Sequence, residues 1–498
     1  MNVNPITRLD YPDPDVIRVE DTYYMVSTTM HFMPGCEILQ SFDLVHWEHA
    51  TYVYETLDHT DAQQLKSGQN IYGQGMWAAS LRYHEGRFYI CFVANDTRKT
   101  YLYTSEKIDG PWKKQLIEGF YHDGSLLFDE DGRNYIVYGN DEIWITELNE
   151  DLNAPKKDGL HRLLVSDHKN PELGYEGSHI QKINGYYYIF LIHSLRDRWM
   201  RTEACFYSDS LEGEFTGGDV LCDDRGYCGQ GVAQGGIVDT PDGKWYAMLF
   251  QDSGAVGRLP ILLPVTWKDH FPVFGQNGHV PEEIEVHSTR PGYIYQPLVG
   301  SDDFCNGLLP RWQFNHDPDP RYYHLDALQG TYTITTREVC TELTQAVNTL
   351  TQRMSYPSCA AEVTVDASAL KEGDVAGLCA LQSCYAAVGI TKHHGKYEVL
   401  MLDKKEDGIL DMTEGTVVES HQMDFRLEAD FCNMKDEARC YYRVNKGDWL
   451  PIGTVHKLYF KLDHFTGCRF GLFCYAAEET GGSACFRDFK YYDVDEIS

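Results

Sequence analysis

A short strand-like unit recurs five times in the first half of the chain, each time behind a polar turn: EDTYYMV (20–26), EGRFYIC (85–91), DGRNYIV (131–137), NGYYYIF (184–190) and DGKWYAM (242–248). Aligning the units superposes Tyr24, Tyr89, Tyr135, Tyr188 and Tyr246, a spacing of about 55 residues. Each unit enters an aromatic or β-branched run from an Asp-Gly, Asn-Gly or similar turn, the local chemistry of an antiparallel hairpin. A second echo, SFDLVHW (41–47), TSEKIDGPW (104–112) and SDSLEGEF (208–215), shows that one repeat holds several strands. Small sheets that must bury both faces against their neighbours stack as blades, so the repeats predict an all-β chain opening with a five-bladed β-propeller. A β-sandwich of irregular hairpins is the competing arrangement.

The texture changes at PGYIYQPLVGSDDF (291–304). Beyond it, TYTITT, AAEVTVDA, YAAVGIT, KYEVLMLDK, FRLEADF and HKLYFKLD alternate as strands do, joined by turns such as KEGD and NKGD, without the repeated tyrosine unit. The expected division is a propeller over residues 1–298 and a jelly-roll β-sandwich over 299–498. No GxxxxGK[ST] loop, GxGxxG turn, HExxH helix or βα alternation is present, so nucleotide-driven chemistry and an α/β enzyme fold lose their usual supports.

Acidic residues outnumber basic ones 75 to 43, a net charge of -32. That field repels phosphate backbones and anionic lipid, which disfavours nucleic-acid or membrane partners and suits a neutral ligand; solubility alone also accounts for such a charge. The first residues carry no basic run followed by an apolar stretch, and five cysteines precede residue 300 while ten follow it, without zinc-like CxxC pairing. These features lead to the expectation of a cytoplasmic protein with reduced cysteines, with a homo-oligomer left open.

Three motifs set an acid just before a predicted strand: YPDPDV (11–16), YHDGSLLFD (121–129) and GYEGSHIQKINGYYYIF (174–190). A turn acid capping backbone N–H groups is the plain explanation for any one of them. Recurrence in repeats one, three and four weighs against it, because the inner strand ends of a propeller converge on one cavity.

These motifs, together with NPITRLDYPDPDVIRVEDTYYMVSTTMHFMPG, SFDLVHW, GMWAASLRY, GGIVDTPDGKWYAM and GRLPILLPVTW, resemble glycoside hydrolase family 43, of the β-xylosidase and α-L-arabinofuranosidase type, over nearly the whole chain. DDFCNGLLPRWQFNH and ACFRDFKYY resemble the C-terminal sandwich of that type. The resemblance implies Asp13 as general base, Glu176 as general acid, and Asp123 as the residue that orients the acid and adjusts its proton affinity. Asp10 and Asp15 lie close to Asp13; Asp15 stands where related enzymes commonly have Ser and could share the site without being the base. Inversion at the anomeric carbon is implied, with about 6.5–9.5 Å expected between Asp13 and Glu176.

Arg258 matches a substrate-facing arginine, whose guanidinium fork can bond adjacent sugar hydroxyls; an inter-blade ion pair is its structural alternative. Trp77 is the candidate floor or wall for a sugar ring, with Met30, His31, Phe32 and Met33 as a side of the pocket; plain packing is the competing role for Phe32 and Met33. Gln234 stands where some relatives carry a channel histidine associated with calcium. The expectation is therefore no required cofactor and no catalytic metal, with room for structural calcium.

The favoured function is an exo-acting inverting glycosidase releasing terminal β-D-xylosyl units from short xylo-oligosaccharides. An α-L-arabinofuranosidase is the nearer alternative and a non-catalytic carbohydrate-binding protein the remoter one.

Overall fold

All five repeated tyrosines lie on the second strand of a four-stranded antiparallel sheet in the computed structural model, which describes residues 3–413 and 415–493. The sheets follow one another along the chain with meander order. Blade 1 contains Asp15–Val19, Thr22–Val26, Gly35–Ser41 and Glu48–Tyr54. The inner strands of blades 2 to 5 are Met76–His84, Ser125–Phe128, Glu176–Ile183 and Val232–Asp239. The polar turns of the repeat join each inner strand to the tyrosine strand, as hairpin chemistry requires.

The ring closes through its N-terminal segment. Asn4 exchanges two hydrogen bonds with the Leu262 backbone, at 2.7 and 2.9 Å, and the Ile6 N–H donates to the Pro260 carbonyl at 2.8 Å, tying the chain start to blade 5. Side chains on adjoining blade faces form separate apolar clusters around the ring, for example Tyr135, Ile145, Ile189 and Leu191 between blades 3 and 4.

At the axis, the wholly buried Asp15 forms an ion pair with the partly buried Arg82, Nη1–Oδ2 2.8 Å. Asp15 Oδ2 also accepts from the Leu81 N–H at 2.7 Å, and His179 Nδ1 lies 3.1 Å from Oδ1. Arg82 donates onward to Leu126 O, Ser125 Oγ and Ile180 O at 2.8, 2.7 and 3.1 Å. A Cβ placed on Gly236 would lie only 3.6 Å from Asp15 Oδ1, so blade 5 abuts the same group. Burial alone would raise the Asp15 carboxyl, but Arg82 and His179 hold it below its ordinary range.

The second half forms two packed antiparallel sheets around one large apolar core. One sheet takes in a strand from the propeller: Phe32–Met33 pairs with Gln313–Asn315 at its edge. The two halves therefore share hydrogen-bonded structure. Asp10 reinforces the seam, its Oδ1 accepting from the Arg258 N–H and its Oδ2 from the Gly467 N–H of the sandwich, both at 2.8 Å. Glycine is required at this approach, since a Cβ on Gly467 would sit 2.1 Å from the Val256 carbonyl oxygen. Arg353 of the sandwich pairs with Glu37 at 2.8 Å and donates to the Asp10 carbonyl at 2.9 Å.

His31, His316 and His464 meet in this seam with Tyr72; the His31 ring lies 4.8, 5.1 and 4.8 Å from those of His316, His464 and Tyr72. All three histidines are buried, and burial lowers their proton affinity, with the positive charge of Arg469 adding to the effect at His31 and His464. His464 is brought down to about 3.

Two outcomes follow from these contacts. Arg82→Met leaves Asp15 buried without its counter-ion and is expected to cost about 3–5 kcal/mol in denaturant unfolding, against less than about 0.5 kcal/mol for Lys113→Ala on the surface. For the histidines the sign is fixed by their lowered folded-state values: as pH falls below about 6.5 the unfolded chain gains protons that the folded one refuses. Stability should then fall by up to about 1.4 kcal/mol per pH unit for each histidine, with the His464 share lost progressively from pH ~6.5 down toward ~3. Thermal unfolding between pH 7.5 and 5, with His464→Gln showing a smaller slope, measures this.

Candidate active site

Three acids expected from the sequence lie at corresponding places in their blades. Asp13 is two residues before the first inner strand, Asp123 two before the third, and Glu176 opens the fourth. Asp13 and Asp123 have φ of 53° and 47°, left-handed values that non-glycine residues adopt at a cost, and that tertiary contacts must hold. The negative charges of both Asp13 and Glu176 act on Asp123.

Asp13 is buried and held at both oxygens. Arg258 Nη1 donates to Oδ1 at 2.8 Å and Thr28 Oγ1 donates to Oδ2 at 2.6 Å. Two donors fix the carboxylate plane, while lone pairs remain for a further proton donor such as water.

Glu176 is held from one side only. Asn140 Nδ2 donates to Oε2 at 2.8 Å, no group among the described residues engages Oε1, and the side chain keeps 19% exposure. The free oxygen is the one from which a proton can be handed to a bound molecule. Gly177 follows with φ 65°, and its N–H donates to Asp123 Oδ2 at 3.0 Å, so Asp123 anchors the backbone beside Glu176. A Cβ on Gly177 would come within 2.6 Å of Gln234 Cγ, so this turn lies directly on Gln234.

His122 adds a group that the sequence reading passed over. Its Nε2 lies 3.6 Å from Asp123 Oδ2 and 3.5 Å from Glu176 Oε2. The Asp123 charge raises His122 to about 9, against burial and with help from Glu176 and Asp13. Burial raises Asp123 to about 6; the Glu176 and Asp13 charges add to this and His122 opposes it.

An aromatic frame surrounds these groups. The Trp77 ring is 6.2 Å from that of His122 and 5.4 Å from that of Phe465, which belongs to the sandwich. Phe465 also lies against Arg258, whose guanidinium carbon is 4.4 Å from the ring centroid. Phe460 stands behind, 5.7 Å from Phe465.

Several expected residues take other positions. His31, Phe32 and Met33 are wholly buried in the seam, so the expected pocket side cannot consist of them: Phe32 packs under Arg469 at 3.5 Å, and Met33 enters the blade 1–2 core. A side chain with no accessible surface cannot meet a sugar. Met30, 1% exposed, bonds through its backbone to Met76 at the start of the Trp77 strand. Asp15 belongs to the axis hub and Asp10 to the seam, so neither shares the Asp13 position.

Gln234 is buried with φ 61°, and its N–H donates to Glu203 Oε2 at 2.7 Å. Burial raises the Glu203 carboxyl well above its ordinary range. Among the described residues, the one grouping of three or more His, Cys, Asp or Glu with ligand-type atoms mutually within 4.8 Å is His122, Asp123 and Glu176.

Thr28, His122, Asn140 and Phe465 were not singled out from the sequence. His122 and Thr28 stand inside quoted motifs, next to residues that drew the attention; Asn140 ends an ordinary tyrosine strand. Phe465 has no local pattern at all, since its role arises from domain docking.

Comparison with known proteins matches this architecture in two segments. Residues 3–272 fit the model of glycosyl hydrolases family 43, and residues 301–492 that of the β-xylosidase C-terminal concanavalin A-like domain. A bifunctional GH43-CE protein of Bacteroides eggerthii superposes with TM-score 0.92 at 42% identity over 98% of this chain, which spans 63% of that longer chain. A β-xylosidase of Formosa agariphila is 26% identical over 99% of this chain and 89% of its own length. A xylosidase/arabinosidase of Butyrivibrio fibrisolvens is 24% identical over 99% of both. With both its propeller and its sandwich matched, this chain belongs to glycosyl hydrolase family 43, as a glycoside hydrolase of the β-xylosidase and α-L-arabinofuranosidase type.

Proposed function

We propose that the protein is an exo-acting glycosidase that releases terminal β-D-xylosyl units from short xylo-oligosaccharides with inversion. The observation that carries this reading is the unequal holding of two carboxylates: Asp13 is bonded at both oxygens by Arg258 and Thr28, while Glu176 is bonded at one. Asp13 therefore suits the ionised base that takes a proton from water, and Glu176 Oε1 suits the acid that protonates the leaving oxygen. Asp123 fixes the Glu176 backbone through Gly177, and Asn140 selects which Glu176 oxygen is left for the substrate.

Arg258 has a second task. Its Nη2 and Nε have no hydrogen-bond partner among the described residues although both are buried, leaving N–H donors for sugar hydroxyls while Nη1 holds Asp13. Trp77 and Phe465 supply apolar faces for the less polar side of a sugar ring. A wall contributed by a second domain supports a short, closed pocket and hence action at chain ends.

Terminal α-L-arabinofuranosyl groups are the second reading, because both sugars can offer similar hydroxyls to Arg258 and Asp13. The Butyrivibrio relative carries both names, and a Bacteroides ovatus relative is called a non-reducing end α-L-arabinofuranosidase.

Turnover of the aryl β-D-xyloside and aryl α-L-arabinofuranoside, side by side and then on xylo- and arabino-oligosaccharides, tests the ranking. A clear preference for the arabinoside reverses it. Glu176→Ala is expected to lower kcat on xylobiose by about 10²–10⁴-fold, and far less on an aryl glycoside whose leaving group needs no proton. Equal losses on both would remove Glu176 from the acid role. Asn140→Ala should follow the same leaving-group pattern with a smaller loss, about tenfold.

A further inference from the structure

We propose that His122, Asp123 and Glu176 also form a binding site for a divalent transition-metal ion of the zinc class, in which the ion and the proton of glycoside cleavage are alternative occupants. One imidazole nitrogen and two carboxylate oxygens are a donor set that zinc-class ions accept, with a fourth position left to solvent. Their spacing suits it. Tetrahedral ligands at about 2.0–2.1 Å from a metal stand about 3.3–3.4 Å apart; His122 Nε2 is 3.6 Å from Asp123 Oδ2 and 3.5 Å from Glu176 Oε2. Closing the group onto an ion needs shifts of a few tenths of an ångström along those two edges, and all three donor atoms already lie within 4.8 Å of one another.

Two further observations bear on the same atoms. His122 Nε2 is inaccessible to solvent and is held between the two carboxylate oxygens as a loose ion pair rather than in a close hydrogen bond. Asp123 and Glu176 are each oriented from outside the trio, by the Gly177 N–H and the Asn140 amide, as metal-binding carboxylates commonly are. A dication placed between the two carboxylates offsets their negative charge at that point. Calcium and magnesium fit less well, since they prefer six or more oxygens and gain little from an imidazole.

Occupancy would place a dication on Glu176 Oε2 and keep the whole carboxylate ionised, so that Oε1 no longer carries the proton it would hand to the leaving oxygen and the bound metal inhibits turnover. That consequence rests on the function proposed above, whereas the binding does not. Binding is therefore measured directly, with Co²⁺ as the probe, by its visible d–d absorption near neutral pH on the full chain.

The expected result is one Co²⁺ per chain with an intense four-coordinate-type band, displaced by Zn²⁺. Affinity should fall at least about 100-fold in His122→Phe and in Glu176→Gln, since loss of even an outer partner of a ligand costs about 10–100-fold. Circular dichroism and thermal unfolding establish that each variant is folded. Absence of a stoichiometric band, or a band that survives in both folded variants, overturns the proposal. Stoichiometric binding that depends on His122 and Glu176 in a protein without glycosidase activity would uphold the metal site and count against the function instead.

Discussion

The pair of buried Asp15 with Arg82 at the propeller axis is the contact on which the rest of the site depends. As a net source of stability such a pair is a weak device, because desolvation offsets much of the attraction. Its value lies in geometry. Asp15 sits two residues after Asp13, Ser125 two after Asp123, and His179 three after Glu176. Asp15, Ser125 and His179 all bond within one network centred on Asp15 and Arg82. The network thus pins three inner strands immediately below the three acids, and fixes their relative heights along the axis. A propeller built of separate meanders has no continuous sheet to do this, so a hub of directional bonds supplies the registration.

The sandwich completes the site as well as stabilising the propeller. Asp10 bonds the backbone of Arg258 with one oxygen and that of Gly467 with the other. One carboxylate thereby couples the strand carrying Arg258 to the loop carrying Phe465. The shared strand Phe32–Met33 and the Arg353–Glu37 pair extend the same coupling. Loss of seam packing would displace an aromatic wall along with a neighbouring domain.

Much of this was legible in the sequence, for identifiable reasons. The hairpin turns and tyrosines are local signals, and each of the five tyrosines occupies the strand position its motif implied. Asp13, Asp123 and Glu176 were legible because each stands before a strand in a Pro- or Gly-framed turn, and the structure brings them to one place. The Met30–Met33 loop misled because an apolar loop reads alike whether it faces a ligand or another domain. Asp15 was ambiguous for a related reason: only the fold shows that its partner is Arg82, 67 residues away. Phe465 was invisible, since its place beside Trp77 and Arg258 depends on how two domains dock.

The proposed division of labour between Asp13 and Glu176 requires that water attack from the face opposite the leaving group, in a single displacement. The most direct test is the anomeric configuration of the first sugar released, followed by ¹H NMR before mutarotation. α-Xylose formed initially from a β-D-xyloside is the expected result. β-Xylose as the first product would mean a covalent intermediate, and would contradict the assignment of Asp13 as a base acting on water.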